Sequence, residues 1–125
     1  FPTPDGTCIR DYIHIKDICS AIEKSINFLQ NKKKSEIFNI GNYKGLSNNQ
    51  VINSIKKNIS KSLNLHYVGR RKGDSPQLVC NSDKAKRLLS WSSKNSKIEK
   101  IIKDEVNWIK KLKTMKLKRR FKTYL

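Results

Sequence analysis

Acidic residues are scarce in this chain: its 125 residues include 10 aspartates and glutamates against 28 lysines and arginines, giving a formal charge of +18. The sequence also lacks any apolar run of about 18 residues, and its beginning shows no signal-peptide pattern. These absences argue against a membrane-spanning or secreted protein. Apolar residues make up 36% of the chain, which predicts a lean hydrophobic core.

Cysteine and histidine are too few and too scattered for a disulfide framework or a metal centre. Cys8, Cys19 and Cys80 form no C-x-x-C pair and lie within apolar stretches, which favours free thiols in a reduced, cytoplasmic setting. His14 and His66 have no clustered ligand residues in the sequence, and a solitary histidine is more often structural. The sequence therefore predicts no metal site.

Glycine is also sparse, and its spacing excludes one common cofactor motif. A dinucleotide-binding turn needs three glycines in the pattern G-x-x-G-x-x-G, so that backbone amides at a helix terminus can approach a pyrophosphate. No three of the five glycines have that spacing; they are Gly6, Gly41, Gly45, Gly69 and Gly73. The sequence as given therefore contains no dinucleotide-binding site.

The positive charge is concentrated at one end of the chain. Residues 110–122 contain eight basic residues and no acidic one, a pattern that would support salt-sensitive binding to nucleic acid. Phe121 and Tyr124 are the nearby aromatic groups able to stack on bases, which is few for a nucleic-acid module. We therefore predict that residues 110–125 are a basic, disordered tail, and that nucleic acid is not the partner.

The first part of the chain shows strand and helix patterns in alternation. After a turn-like opening, Cys8–Lys16 alternates apolar and polar residues, which predicts a strand. Asp17 can cap a helix that runs to about Gln30, and Glu36–Ile40 is a short apolar run typical of a strand. Strands that alternate with helices indicate an α/β fold.

The second part of the chain continues the alternation. Ser47 and Gln50 have the spacing of a capping box, which predicts a second helix. Leu63–Val68 resembles a strand, and Ser82 can cap a short helix that ends near Leu89. A final helix is indicated by an apolar stripe at helical spacing, formed by Ile98, Ile101, Ile102, Val106, Ile109 and Leu112.

Four phrases of the sequence, in order, resemble those of UDP-glucose (UDP-galactose) 4-epimerases. The longest, TPDGTCIRDYIHIKDICSAI from Thr3 to Ile22, resembles the family phrase T-P-D-G-T-x-x-R-D-Y-I-H-V-x-D-L-A. The later phrases FNIGNYKGLSNNQVI, RRKGDSPQLVCNSDKAKRLLSW and VNWIKK resemble its F-N-L-G, R-R-x-G-D and terminal W-x-W segments. The resemblance extends to about Trp108 and identifies the chain as a member of the extended short-chain dehydrogenase/reductase family.

The resemblance implies an NAD-dependent isomerase of galactose metabolism, in which the cofactor takes a hydride from the sugar C4 and returns it to the opposite face. Residues 1–109 would be an incomplete, carboxyl-terminal part of its Rossmann-type α/β fold: the last strands and helices plus most of a small substrate domain. The expected partners are a UDP-sugar, the missing amino-terminal Rossmann half and, in the intact enzyme, a second subunit of a possible homodimer. A fragment is also suggested by the start at Phe1.

The resemblance also assigns substrate-binding residues. Arg10 and Arg71 would anchor the UDP moiety at its diphosphate and uridine side, because a guanidinium group meets phosphate oxygens bidentately. Asp74 would accept hydrogen bonds from ribose hydroxyls. Tyr12 lies two residues from Arg10 on the same face of the predicted strand and would therefore line the same pocket. Taken alone, the Arg-Asp-Tyr of a strand is more often an exposed face with a salt bridge, and an R-R-x-G-D loop is more often a solvated turn.

No catalytic residue is assigned. The family uses Tyr-x-x-x-Lys on a helix, and Tyr12 with Lys16 matches that spelling. These two lie in the predicted strand, where four residues span about 13 Å, compared with about 6 Å on a helix. The fragment is therefore predicted to be inactive alone, with its helix face at Ile18, Ile22 and Ile26 exposed. The alternatives are a basic nucleic-acid-binding module and a degenerate, non-functional remnant, the latter because Asn48 and Asn81 depart from the family phrases.

Overall fold

The computed structural model describes the backbone of residues 1–59 and 62–122 and the side chains as far as Met115. Within these ranges the chain forms three short strands and four helices. In chain order they are β1 (Ile9–Asp11), α1 (Ile15–Lys32), β2 (Gly45–Ser47), α2 (Asn48–Asn58), β3 (Gln77–Leu78), α3 (Asp83–Leu89) and α4 (Ile98–Lys122). The predicted α/β class is confirmed.

The strands form one mixed sheet with β1 at its centre, in the order β2-β1-β3. β1 pairs antiparallel with β2, where Ile9 faces Ser47, and parallel with β3, where Ile9 faces Gln77. The central position brings Arg10 of β1 close both to the start of α2 and to the loop that precedes β3.

β1 ends earlier than the sequence predicts. The predicted strand Cys8–Lys16 is wrong after Asp11, because α1 already begins at Ile15. His14 is the N-cap of α1: its ring Nδ1 accepts a hydrogen bond from the Lys16 amide at 3.0 Å. Asp17, the predicted cap, lies instead in the first turn of the helix and is buried.

The other two segments predicted as strands, Glu36–Ile40 and Leu63–Val68, are described by the structure but do not form strands. Glu36–Ile40 is assigned to neither helix nor strand, although it keeps the alternating burial of an extended segment, with Ile37 85% exposed and Phe38 packed toward the core. Leu63–Val68 is irregular, and Val68 is 86% exposed. A period of two indicates extended backbone, whereas a strand also requires a hydrogen-bonded neighbour.

The helix starts follow the sequence more closely. The capping box is confirmed, since the Gln50 amide donates to Ser47 Oγ at 3.2 Å and the Ser47 amide donates to Gln50 Oε1 at 2.9 Å. α3 ends at Leu89 as predicted. Ser82 precedes it, but the Ser82 hydroxyl bonds to Gly41 and does not cap the helix.

α4 is much longer than its apolar stripe. It continues to Lys122, so residues 110–122 are helical where the sequence predicts disorder; residues 123–125 lie outside the described part. Lysine, arginine, leucine and methionine are good helix formers, and this segment contains neither glycine nor proline to end the helix. A domain boundary at residue 109 stays a prediction.

A small core lies between α1 and α3. Its buried residues are Ala21, Ala85, Leu89 and Trp91, with partly buried Ile13, Phe28, Phe38 and Ile40 packed against them. Phe28 and Phe38 meet edge to face, with ring centroids 5.6 Å apart. Trp91 is 2% exposed, and its indole N–H donates to the Asp17 carbonyl oxygen at 3.0 Å. This bond joins the segment after α3 to the start of α1.

The Asp17 carboxylate is buried and fully engaged. It accepts hydrogen bonds from the Asn95 backbone N–H and from Asn95 Nδ2, both at 2.8 Å, and from the Ser96 hydroxyl at 2.6 Å. Burial by itself raises the pKa of Asp17, but the hydrogen bonds from Ser96 and Asn95 outweigh it and hold the pKa below the ordinary value of 3.8. The carboxylate thus ties α1 to the loop before α4.

Acid is expected to destabilise the chain through Asp17 and Glu36. Hydrogen bonds from Lys34 and Lys84 lower the pKa of Glu36 to about 2 from 4.5. Because both pKa values are depressed by folding, both groups stabilise the folded state above about pH 4.5 and lose that contribution as the pH falls toward 2. Urea unfolding followed by Trp91 fluorescence should give a falling midpoint over this range. A midpoint that is constant from pH 5 to pH 2 would contradict this coupling.

One face of α1 is left uncovered in the described structure. Ile15, Ile22, Ile26 and Leu29 are each more than half exposed. Ile22, Ile26 and Leu29 border an apolar groove of about 450 Å³ that Phe38 also lines. The sequence prediction of exposed apolar residues on this helix is thus met at Ile22 and Ile26, while Ile18 is half-buried. Among the described residues, no helix combines the length and the apolar content needed to cross a membrane.

Candidate functional site

A cleft of about 710 Å³ opens where β1, the start of α2 and the loop before β3 meet. Arg10 of β1 and the pair Arg71 and Asp74 of the loop before β3 all line it, although about 60 residues separate Arg10 from the pair. Arg70 and Asn48 contribute to the same wall. The structure therefore brings together three of the four predicted site residues.

Arg10 is held in place by backbone oxygens on both sides. Its Nη1 donates to the Ile9 carbonyl at 2.8 Å and to the Ser75 carbonyl at 2.9 Å. The Ile9 amide in turn donates to the Pro76 carbonyl at 2.9 Å, so the loop before β3 is fixed against β1. The guanidinium group thus keeps further N–H donors in a defined position beside the cleft.

Arg71 and Asp74 are the first and last residues of a tight turn. The Asp74 amide donates to the Arg71 carbonyl at 3.2 Å, and Gly73 has φ +88°, a conformation that favours glycine. Arg71 Nε lies 3.3 Å from Asp74 Oδ2, but the Arg71 side chain is 87% exposed. An exposed pair of this kind contributes little stability, so a ligand can replace either partner at small cost.

The cleft is electropositive. Arg10, Arg70 and Arg71 contribute three guanidinium groups against the single carboxylate of Asp74 among its described lining residues. Arg70 is oriented by two hydrogen bonds to the Asp74 carbonyl, from Nε at 3.0 Å and Nη2 at 2.5 Å, and it stacks over the Phe1 ring at 5.3 Å. Such a surface attracts anions, and planar donor forks suit phosphate groups in particular.

Tyr12, the fourth predicted residue, is not among those that line the cleft. Its hydroxyl donates to Asn48 Oδ1 at 3.2 Å, and Asn48 lies on the cleft wall. Burial, with a smaller contribution from Cys8, raises the pKa of Tyr12, so the phenol stays protonated at neutral pH. Tyr12 therefore contacts the cleft wall through Asn48, and a direct role of Tyr12 in binding stays a prediction.

Tyr12 and Lys16 do not share one helix, as a catalytic pair would require. Lys16 lies in the first turn of α1, whereas Tyr12 precedes the helix and follows β1. The reason given by the sequence, a continuous strand, is wrong. No catalytic role is assigned to the two residues.

Sequence analysis missed several polar and aromatic residues of the cleft: Asn49, His66 and Tyr67, whose hydroxyl lies 3.4 Å from Asn49 Oδ1. His66 and Tyr67 were hidden because Leu63–Val68 resembles a strand, while the structure places it as irregular backbone along the cleft. Among the described residues, no group of three His, Cys, Asp or Glu side chains could hold a metal ion.

The sequence matches the model of the NAD dependent epimerase/dehydratase family over residues 2–41. A curated UDP-glucose 4-epimerase of Mycoplasma pneumoniae is 42% identical over 108 residues, which is 84% of this chain and 32% of that protein. The chain spans about a third of the length of the curated relatives it matches.

Solved structures of similar proteins agree with this match. The UDP-glucose 4-epimerase of Stenotrophomonas maltophila, solved with NAD and formylated UDP-arabinopyranose, superposes with a TM-score of 0.86 at 28% identity, over 92% of this chain and 34% of that one. The enzyme of Bifidobacterium longum, solved with NAD+ and UDP, gives 0.78 at 27% identity over 89% and 32%. The likeness extends over most of the present chain in both cases.

Proposed function

We propose that the chain, which matches the NAD dependent epimerase/dehydratase family model over residues 2–41, is the nucleotide-sugar-binding, carboxyl-terminal part of a UDP-glucose 4-epimerase. The observation that carries the proposal is the shared cleft of Arg10, Arg71 and Asp74. A site for a nucleoside diphosphate needs cations for the diphosphate and a hydrogen-bond acceptor for the ribose, and these three residues supply both.

Each residue has a distinct part in this proposal. Arg10 is anchored by two carbonyl groups and offers a fixed cation to the diphosphate. Arg71 is exposed and exchanges its contact with Asp74 for the nucleotide, which leaves the Asp74 carboxylate to accept from the ribose hydroxyls. Holding the nucleotide in this way would let the attached sugar turn over in the site without leaving it.

The hydride chemistry belongs to NAD in the intact enzyme, and the residues of this chain do not form its site. The five glycines lack the spacing of a pyrophosphate-binding turn, and the two with positive φ, Gly6 and Gly73, lie in separate loops. In the proposed enzyme this chain therefore contributes binding and orientation of the substrate, and no proton or hydride transfer.

The uncovered face of α1 fits the same proposal. Ile22, Ile26 and Leu29 are each more than half exposed, beside the extended segment Glu36–Ile40. The relatives are about three times as long as this chain, so their remaining two-thirds would supply the sheet that covers this face and a strand that pairs with residues 36–40. The amino-terminal, cofactor-binding part of the fold is thus the proposed structural partner.

The proposal predicts that UDP binding depends on both arginines. Replacing Arg10 or Arg71 by alanine should weaken UDP binding roughly 10-fold or more, because a charge-assisted hydrogen bond contributes about 1.5–3 kcal/mol. Calorimetric titration of the chain with UDP and with uridine measures this effect. Since uridine has no phosphate, its binding should change much less.

Arg87→Ala is the matched control, because Arg87 is an exposed arginine on α3 and does not line the cleft. UDP affinity should be unchanged in this variant. If Arg87→Ala weakened UDP binding as much as Arg71→Ala, attraction by net charge would explain the result. The proposed site would then be wrong.

A further inference from the structure

The outer part of α4 projects beyond the packed part of the chain. Ile102 is buried, and α4 packs against α2. From Asn107 to Met115, by contrast, every residue is exposed except the half-buried Leu112. Trp108, Ile109 and Met115 are each more than 40% exposed. Large apolar side chains thus stand on a helix that the described structure leaves uncovered.

These apolar residues share one side of the helix. At 3.6 residues per turn, Trp108, Ile109, Leu112 and Met115 lie within an arc of about 120°. The exposed lysines of the same segment are Lys110, Lys111 and Lys113, and they flank this arc or lie opposite it. The segment is an amphipathic helix with a cationic polar face, and it carries no acidic residue after Glu105.

We propose that this segment, residues 108–115, binds the surface of a membrane that contains anionic phospholipid. The helix would lie in the plane of the interface, with Trp108, Leu112 and Met115 among the acyl chains and the lysine ammonium groups at the headgroup phosphates. Charge complementarity identifies an anionic occupant. The apolar arc distinguishes a bilayer from nucleic acid, which neutralises cations but offers no apolar layer to bury a helix face.

The two tryptophans of the chain make this binding visible. Trp91 is 2% exposed and Trp108 is 49% exposed, so a change in fluorescence on adding vesicles reports the environment of Trp108. The full chain should show a blue shift with vesicles of phosphatidylcholine and phosphatidylserine, and none with phosphatidylcholine alone. Trp108→Phe should abolish the shift while sedimentation with the mixed vesicles persists.

The lysines are tested by a triple variant, Lys110→Gln, Lys111→Gln and Lys113→Gln. A lysine near an anionic surface contributes about fivefold to binding, so partitioning into the mixed vesicles should fall roughly 100-fold. The matched control makes the same charge change at exposed lysines elsewhere, Lys32→Gln, Lys56→Gln and Lys57→Gln, and should bind almost as the parent chain does.

Three results would overturn the proposal: equal binding of the parent chain to both kinds of vesicle, an equal loss in the two triple variants, or sedimentation of the parent chain with the mixed vesicles without a blue shift. The same chain is also titrated with duplex DNA at physiological salt. Tight binding to DNA with no binding to vesicles would assign the segment to nucleic acid instead.

Discussion

No interconversion of UDP-galactose and UDP-glucose is expected from the 125-residue chain when it is supplied with NAD. The sequence lacks the glycine spacing of a dinucleotide-binding turn. Its one Tyr-x-x-x-Lys motif is Tyr12 with Lys16, and Tyr12 lies outside the helix that contains Lys16. Tyr12 also has a raised pKa, so it is a poor base at neutral pH. A coupled assay for UDP-glucose formation measures the activity directly.

The chain should be expressed in a host strain that lacks its own epimerase, since traces of the host enzyme would mimic activity. The full-length Mycoplasma pneumoniae relative serves as the positive control, because it is 42% identical to this chain over the matched region. Turnover that rises with the amount of the 125-residue chain, and is lost in Arg71→Ala, would show that the chain carries its own catalytic residues. The proposal that this chain only binds the substrate, and that the catalytic residues lie in the rest of the enzyme, would then be wrong.

Asp17→Ala should be strongly destabilising, with a loss of about 4 kcal/mol in the free energy of unfolding. It leaves the donors of half-buried Asn95 and buried Ser96 without their acceptor, and each unsatisfied buried group costs about 1–3 kcal/mol. Domains of ordinary size have only about 5–15 kcal/mol of stability, so this loss should remove a large fraction of it and lower the melting temperature markedly.

Near-ultraviolet circular dichroism and Trp91 fluorescence report this loss, because the Trp91 indole donates to the Asp17 carbonyl oxygen. Glu105→Ala is the control: Glu105 is exposed on α4, and such substitutions usually change stability by less than about 0.5 kcal/mol. A melting curve for Asp17→Ala that matched the parent chain would show that the hydrogen bonds at Asn95 and Ser96 contribute nothing.

Local rules predicted the helices better than the strands. The Ser47–Gln50 capping box depends on residues three apart, so the sequence shows it directly. A strand depends on a neighbour that can lie far away in the sequence, as β3 does for β1. The short apolar run Glu36–Ile40 therefore predicted an extended segment, but could not supply a pairing partner.

The same distinction applies to the candidate site. Arg10, Arg71 and Asp74 were found by family phrases, and their convergence required the parallel pairing of β1 with β3, which no local pattern contains. Tyr12 was placed in the pocket by strand alternation, and the strand ends at Asp11. Asp17 was predicted as a helix cap because the sequence could not show that Asn95 and Ser96 lie beside it.

The extended segment Glu36–Ile40 has a practical consequence for handling the protein. Within the described residues no strand pairs with it, and Ile37 is 85% exposed, so its backbone is open to pairing with the same segment of another molecule. Concentrated solutions should consequently become turbid and bind thioflavin T with time. Replacing Ile37 by lysine would put a charge on this edge and delay that aggregation, which would make crystallisation trials practicable.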